Sequence, residues 1–83
     1  MTRKLRNSKR RQSFKRMLLG ERPWVECHYC GQHLTLETVT LDHVKPLSKG
    51  GAMGIKNIVP ACLACNRKRG NTDYKTFVRR IAA

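Results

Sequence analysis

Apolar positions thin out at the start of the chain, where Phe14, Met17 and Leu18 recur at helical spacing inside an Arg- and Lys-rich run. That spacing predicts a helix from about Arg10 to Leu19, ended by Gly20. Pro23-Trp24-Val25 follows, and the single tryptophan is expected as a core anchor. Thr38-Val39-Thr40-Leu41-Asp42-His43 alternates β-branched or apolar positions with polar ones, which predicts a strand limited by Pro46. Three glycines between 50 and 54 mark a loop. Asn57-Ile58-Val59 is then a second strand that closes a hairpin. Pro60 fits a first helical turn and Gly70 a terminator, so a helix is predicted from Ala61 to Arg69. Tyr74, Phe77, Val78 and Ile81 predict a last helix, capped by Thr72 and running through Arg80. There is no internal repeat or low-complexity segment.

Eighty-three residues are expected to form one domain, with residues 1–22 as a basic arm and 23–83 as the folded unit. A chain this short buries little apolar surface and needs further stabilisation. The formal net charge of +13 calls for a polyanionic partner. A membrane surface needs an apolar stripe beside the charge, and the basic segment offers too few apolar residues, with Leu5 standing alone. Nucleic acid, DNA first, is the expected partner, and no membrane is expected. The first twenty residues show no signal-peptide pattern, which predicts a reducing, cytoplasmic setting.

That setting decides how four cysteines are read. Cys27-x2-Cys30 and Cys62-x2-Cys65 stand 31 residues apart. Two such knuckles can converge on one tetrahedral zinc ion, whereas two disulfides need an oxidising compartment. His28 lies inside the first knuckle, but four thiolates already suffice for the ion. His33 is expected in solvent.

Between the knuckles lies candidate chemistry. Cys62 and Cys65 share a helix face, and Asn66 lies beside it, so the zinc that fixes the helix also aims Asn66. Asp42 suits a hard divalent cation as an oxygen ligand, with the Asn66 carbonyl as a second ligand; magnesium or manganese fits such a donor set. His43 supplies an imidazole, the side chain best suited to take a proton from water at neutral pH. Lys45, Arg67, Lys68 and Arg69 are placed to contact phosphates.

The run from Leu41-Asp42-His43 through Gly50-Gly51, Asn57 and Cys62-x2-Cys65-Asn66 to Gly70 resembles the HNH endonuclease family over about residues 27–70. The resemblance implies a small α+β, ββα-metal (His-Me finger) fold, here stabilised by a four-cysteine zinc site and flanked by a basic N-terminal helix and a C-terminal helix. It also implies roles: His43 as general base, Asp42 and Asn66 as ligands of the catalytic divalent cation, and Asn57 as the residue that braces the loop and orients the base. The Asp-His-Asn-Asn version looks most like phage HNH nucleases and the endonuclease VII type of junction resolvase. A DNA endonuclease that hydrolyses phosphodiester bonds, nicking or cutting double-stranded DNA with low sequence specificity, is expected, phage-encoded in a bacterial host and working with a partner such as a packaging machine. The rival expectation is a non-catalytic zinc module that binds DNA. One departure matters: where some members carry a further metal-binding His, this chain has Arg69 and Gly70.

Overall fold

The computed structural model describes residues 2–52 and 54–82, with side chains from Lys9 onward. A long helix, two short hairpins and two short helices succeed one another along the chain.

The first helix, α1, spans Thr2–Leu19, eight residues more than the apolar spacing indicated. Apolar spacing is silent where a segment has almost no apolar residues, yet Lys, Arg and Gln are good helix formers and nothing before Gly20 breaks the run. Gly20 ends α1 in the left-handed region (φ 63°) and donates to the Arg16 carbonyl at 2.9 Å. The Arg22 guanidinium caps the carbonyls of Leu19 (3.2 Å) and Leu18 (3.3 Å).

Strands β1 (Val25–Glu26) and β2 (His33–Leu34) pair antiparallel around the first knuckle. Gly31 turns the knuckle at φ 81° and donates to the Cys27 carbonyl at 3.0 Å. Trp24 is not a core anchor: it is 41% exposed and stacks on His33 with ring centroids 3.7 Å apart. Val25 and Leu34 fill the inward positions, and the short strand leaves the neighbouring indole outside.

Strands β3 (Thr40–His43) and β4 (Ile58–Ala61) form the second antiparallel hairpin, with Asp42 opposite Val59 and His43 opposite Ile58. β3 starts two residues later than expected because residues 35–39 close a turn, with Val39 and Thr38 both donating to the Thr35 carbonyl. Pro60 and Ala61 lie in β4, not in a helix. The Pro60 carbonyl accepts from the His28 N–H at 2.8 Å, and the Ala61 carbonyl accepts from the Thr40 hydroxyl at 2.6 Å. These partners hold the segment extended.

Helix α2 therefore starts late, at Leu63–Arg69, with Cys62 as its N-cap: the thiol accepts from the Cys65 N–H. Helix α3 spans Tyr74–Ala82. Its first turn is capped by Asp73, whose carboxylate accepts from Thr76 N–H at 3.3 Å; the expected cap, Thr72, instead donates its N–H to the Arg69 carbonyl. The core gathers Leu19, Val25, Leu34, Val39 and Ala61 around the buried Cys27 and Cys62. Among the described residues, no helix is long and apolar enough to cross a membrane.

Candidate active site

The two knuckles meet as the spacing requires. The Sγ atoms of Cys27, Cys30, Cys62 and Cys65 all lie within 4.8 Å of one another, and those of Cys30 and Cys62 are 3.9 Å apart. Four thiolates on one tetrahedral zinc at about 2.3 Å per bond stand roughly 3.8 Å apart, so the cluster fits such an ion. All four are free cysteines. Backbone N–H groups already point at the sulfurs: Cys62 N–H donates to Cys27 Sγ at 3.3 Å and Cys65 N–H to Cys62 Sγ at 3.4 Å. Burial raises the Cys27 thiol, but the N–H groups of Cys30, Cys62 and Tyr29 outweigh it and bring its pKa down from 9.0 to about 7. His28 belongs elsewhere, with Nε2 2.6 Å from the Tyr74 hydroxyl.

The end of β3 is held from behind by one buried arginine. Arg69, 2% exposed, reaches from the last turn of α2 to Asp42, 6% exposed. Its Nη1 lies 2.8 Å from both carboxylate oxygens and 3.0 Å from the His43 carbonyl. Nη2 donates to the Val44 carbonyl at 2.7 Å and Nε to the Thr72 carbonyl at 3.1 Å. Arg69 is thus not a surface phosphate contact, contrary to the sequence expectation. Its position directs the side chain inward, and every nitrogen is used inside the protein. Burial alone would weaken its charge, and the Asp42 pairing more than offsets this, raising its pKa above the usual value. The Tyr29 hydroxyl donates to the same carboxylate. Burial first, then the hydrogen bond to Asp42, push the Tyr29 pKa well above its ordinary value, so the phenol stays a donor.

A carboxylate has about four lone-pair positions. Arg69 and Tyr29 take three at Asp42, and one remains for a cation. Asn66 complements it. Its amide nitrogen donates to the Thr40 hydroxyl at 3.0 Å and the Leu41 carbonyl at 3.3 Å. Because a carbonyl can only accept, the nitrogen must face that way, which leaves the Asn66 Oδ1 to coordinate. The donor chemistry of Asp42 and Asn66 fits a hard divalent cation.

Asn57 staples the loop that follows His43. Its Oδ1 accepts from Lys45 N–H at 2.9 Å, and its Nδ2 donates to the carbonyls of Lys45 (2.9 Å) and Ala52 (2.8 Å). The loop is tight: a Cβ on Gly51 would collide with the Lys45 carbonyl. Asn57→Ala is expected to cost about 1–3 kcal/mol in all, since three exposed hydrogen bonds, each near the low end of the ~0.5–1.5 kcal/mol net range, are lost together; urea unfolding of zinc-loaded protein measures it. Gly51→Ala should cost a similar amount through backbone displacement.

Asp42, His43 and Asn66 line one cavity of about 210 Å³, together with Arg69 and Gly70. His43 and Asn66 also face a larger groove of about 490 Å³ whose other wall is α1. Lys45, Arg67 and Lys68 are exposed. Residue-by-residue reading missed Tyr29, Thr40 and the inward Arg69. Tyr29 carried a signal, its place between two of the clustered cysteines; the other two are placed by the hairpin and by α2.

The HNH endonuclease family matches residues 27–72. The chain belongs to that family. It is 31% identical over 55 residues to the CRISPR-associated endonuclease Cas9 of Corynebacterium diphtheriae. A second Cas9, from Actinomyces naeslundii, is 33% identical over 55 residues. Each alignment covers 65% of this chain and 5% of the relative, so the chain spans about a twentieth of their length.

Proposed function

We propose that the protein is a metal-dependent DNA endonuclease that hydrolyses phosphodiester bonds, with zinc in the four-cysteine site and magnesium or manganese between Asp42 and Asn66. One observation carries the reading: Asp42, His43 and Asn66, from β3 and α2, line a single cavity. The His43 imidazole takes a proton from the attacking water. Its backbone is held by Arg69 at the carbonyl, and the loop after it is stapled by Asn57. Asp42 and Asn66 would hold the divalent cation, which supplies charge stabilisation at the phosphate and the leaving oxygen. Arg67 and Lys68, exposed on α2 beside Asn66, are available to phosphates. Such contacts carry no sequence information, which supports low specificity or targeting by a partner such as a phage packaging machine.

Plasmid nicking with magnesium or manganese tests this. Removing a positioned general base is expected to lower the rate by about 10²–10⁴-fold, so His43→Ala should be nearly silent. Equal nicking by wild type and His43→Ala at matched purity overturns the reading. Salt-sensitive binding with no cleavage by either protein identifies a zinc-stabilised DNA-binding module instead.

A further inference from the structure

The 490 Å³ groove beside His43 is built unlike a surface that meets only a phosphate backbone. Arg10, Arg11 and Lys15 of α1 stand on its rim, while Phe14, Leu41 and Leu47 supply apolar lining. On a helix, residues 10, 11, 14 and 15 form one stripe, so Phe14 lies between the cations. Leu47, across from α1 on the loop after β3, is 47% exposed. A phosphate gains nothing from a phenyl ring or an exposed leucine. A nucleobase gains a great deal, because its π-face is apolar and stacks on aromatic rings. In an intact duplex that face is covered by neighbouring base pairs, so only an unpaired nucleotide can offer it. The groove volume is within the roughly 300–1,000 Å³ typical of ligand-sized pockets, and cations beside an aromatic platform are the composition of single-strand sites. The α1 wall lies outside residues 27–72 and so outside the family match.

We propose that this groove seats one unpaired nucleotide of the strand presented to His43, its base against Phe14 and its flanking phosphates against Arg10, Arg11 and Lys15. The preferred substrate is then DNA with an unpaired nucleotide: a single strand, a bulge or a fork. The seat rests on the nuclease reading only for the statement that this strand is the one cut.

The test uses full-length, zinc-loaded His43→Ala protein without added magnesium or manganese, titrated onto oligonucleotides carrying one 2-aminopurine. The base is placed in a single strand, in a one-nucleotide bulge or in a full duplex. The unpaired probes should bind at least tenfold tighter, with their emission quenched by Phe14. Adding Phe14→Ala should abolish the quench and weaken unpaired binding by about 5- to 150-fold, the range of one base–aromatic stack, while duplex binding stays within about twofold. Phe14→Tyr should restore both. Neutralising Lys75, Arg79 and Arg80, exposed on α3, should lower binding to all probes alike and leave the quench intact. Zinc content and far-UV circular dichroism show that each variant folds; should Phe14→Ala fail there, Phe14→Leu, which keeps most of the bulk and removes the ring, decides in its place. Equal affinity for paired and unpaired probes, or a quench that survives both substitutions, overturns the inference. The two readings fail separately. Wild-type cleavage by His43→Ala sinks the nuclease mechanism and leaves the seat standing, whereas equal nicking of duplex and bulge without a quench sinks the seat alone.

Discussion

Stripping the metal from Cys27, Cys30, Cys62 and Cys65 is expected to unfold the protein outright, with loss of far-UV helicity and of any cooperative thermal transition. The reason lies in where the sulfurs sit. Two of the four sulfurs sit in the core itself, among a handful of small and medium apolar side chains. Apart from the sulfurs, the first knuckle is tied to the rest by a few polar contacts: the His28 N–H to the Pro60 carbonyl, the Cys62 N–H to Cys27 Sγ, Tyr29 to Asp42 and Arg69, and His28 to Tyr74. Structural zinc in small peptides contributes an apparent ~10–16 kcal/mol near neutral pH, comparable with or above the ~5–15 kcal/mol net stability of a whole domain.

The thiols themselves explain why a cation is needed. Backbone N–H groups favour thiolate at Cys27, against the pull of burial, while burial first, then the neighbouring thiols, push Cys65 well above its ordinary value. Without metal, the Cys27 contribution to stability is full above its ordinary pKa of 9.0 and is lost as pH falls through about 7. The Cys65 contribution runs the other way, full below its ordinary value and lost as pH rises through its raised one. Only a bound cation makes four thiolates compatible at one pH. Acidification should therefore release the ion, since protons compete for the same sulfurs. Chelator titration followed by circular dichroism, with released zinc measured in parallel, checks both points. A transition unchanged after full zinc release would exclude the clamp.

The cysteine knuckles and the β3–β4 hairpin were legible because each rests on a local rule: ligand spacing for one, alternation between turn residues for the other. The cavity shared by Asp42, His43 and Asn66 was legible only in part. Asn66 could be placed from Cys62 by helix arithmetic, but the inward turn of Arg69 could not. A run of Arg67, Lys68 and Arg69 looks like surface charge from any window of sequence, and only the return of β3 beneath α2 turns its last member into a core residue. Pro60 misled for a related reason. Its missing N–H suits a first helical turn as well as a strand position where no ladder bond is required, and the tertiary partners of its carbonyl decided between them.

Arg69→Met is expected to be the most damaging substitution outside the cysteines, costing about 3–5 kcal/mol. A buried ion pair need not add net stability over well-packed apolar residues, yet removing one partner leaves the other charged and desolvated. Here Asp42, itself buried, would keep only the Tyr29 hydroxyl. The carbonyls of His43, Val44 and Thr72 would lose their donor at the same time. Adding Asp42→Asn should therefore recover part of the loss, a coupling of about 0.5–3 kcal/mol in a double-mutant cycle, although Asp42→Asn alone is destabilising. Arg69→Lys keeps the charge but lacks the planar fork that reaches Asp42, His43 and Val44 together, so it should fall between wild type and Arg69→Met. Urea unfolding of the zinc-loaded variants without magnesium keeps the measurement clear of the cation that Asp42 would hold. Strictly additive losses would show that Arg69 acts through its carbonyl contacts and not through Asp42, and the pair would then be a packing neighbour to His43 without being its electrostatic support.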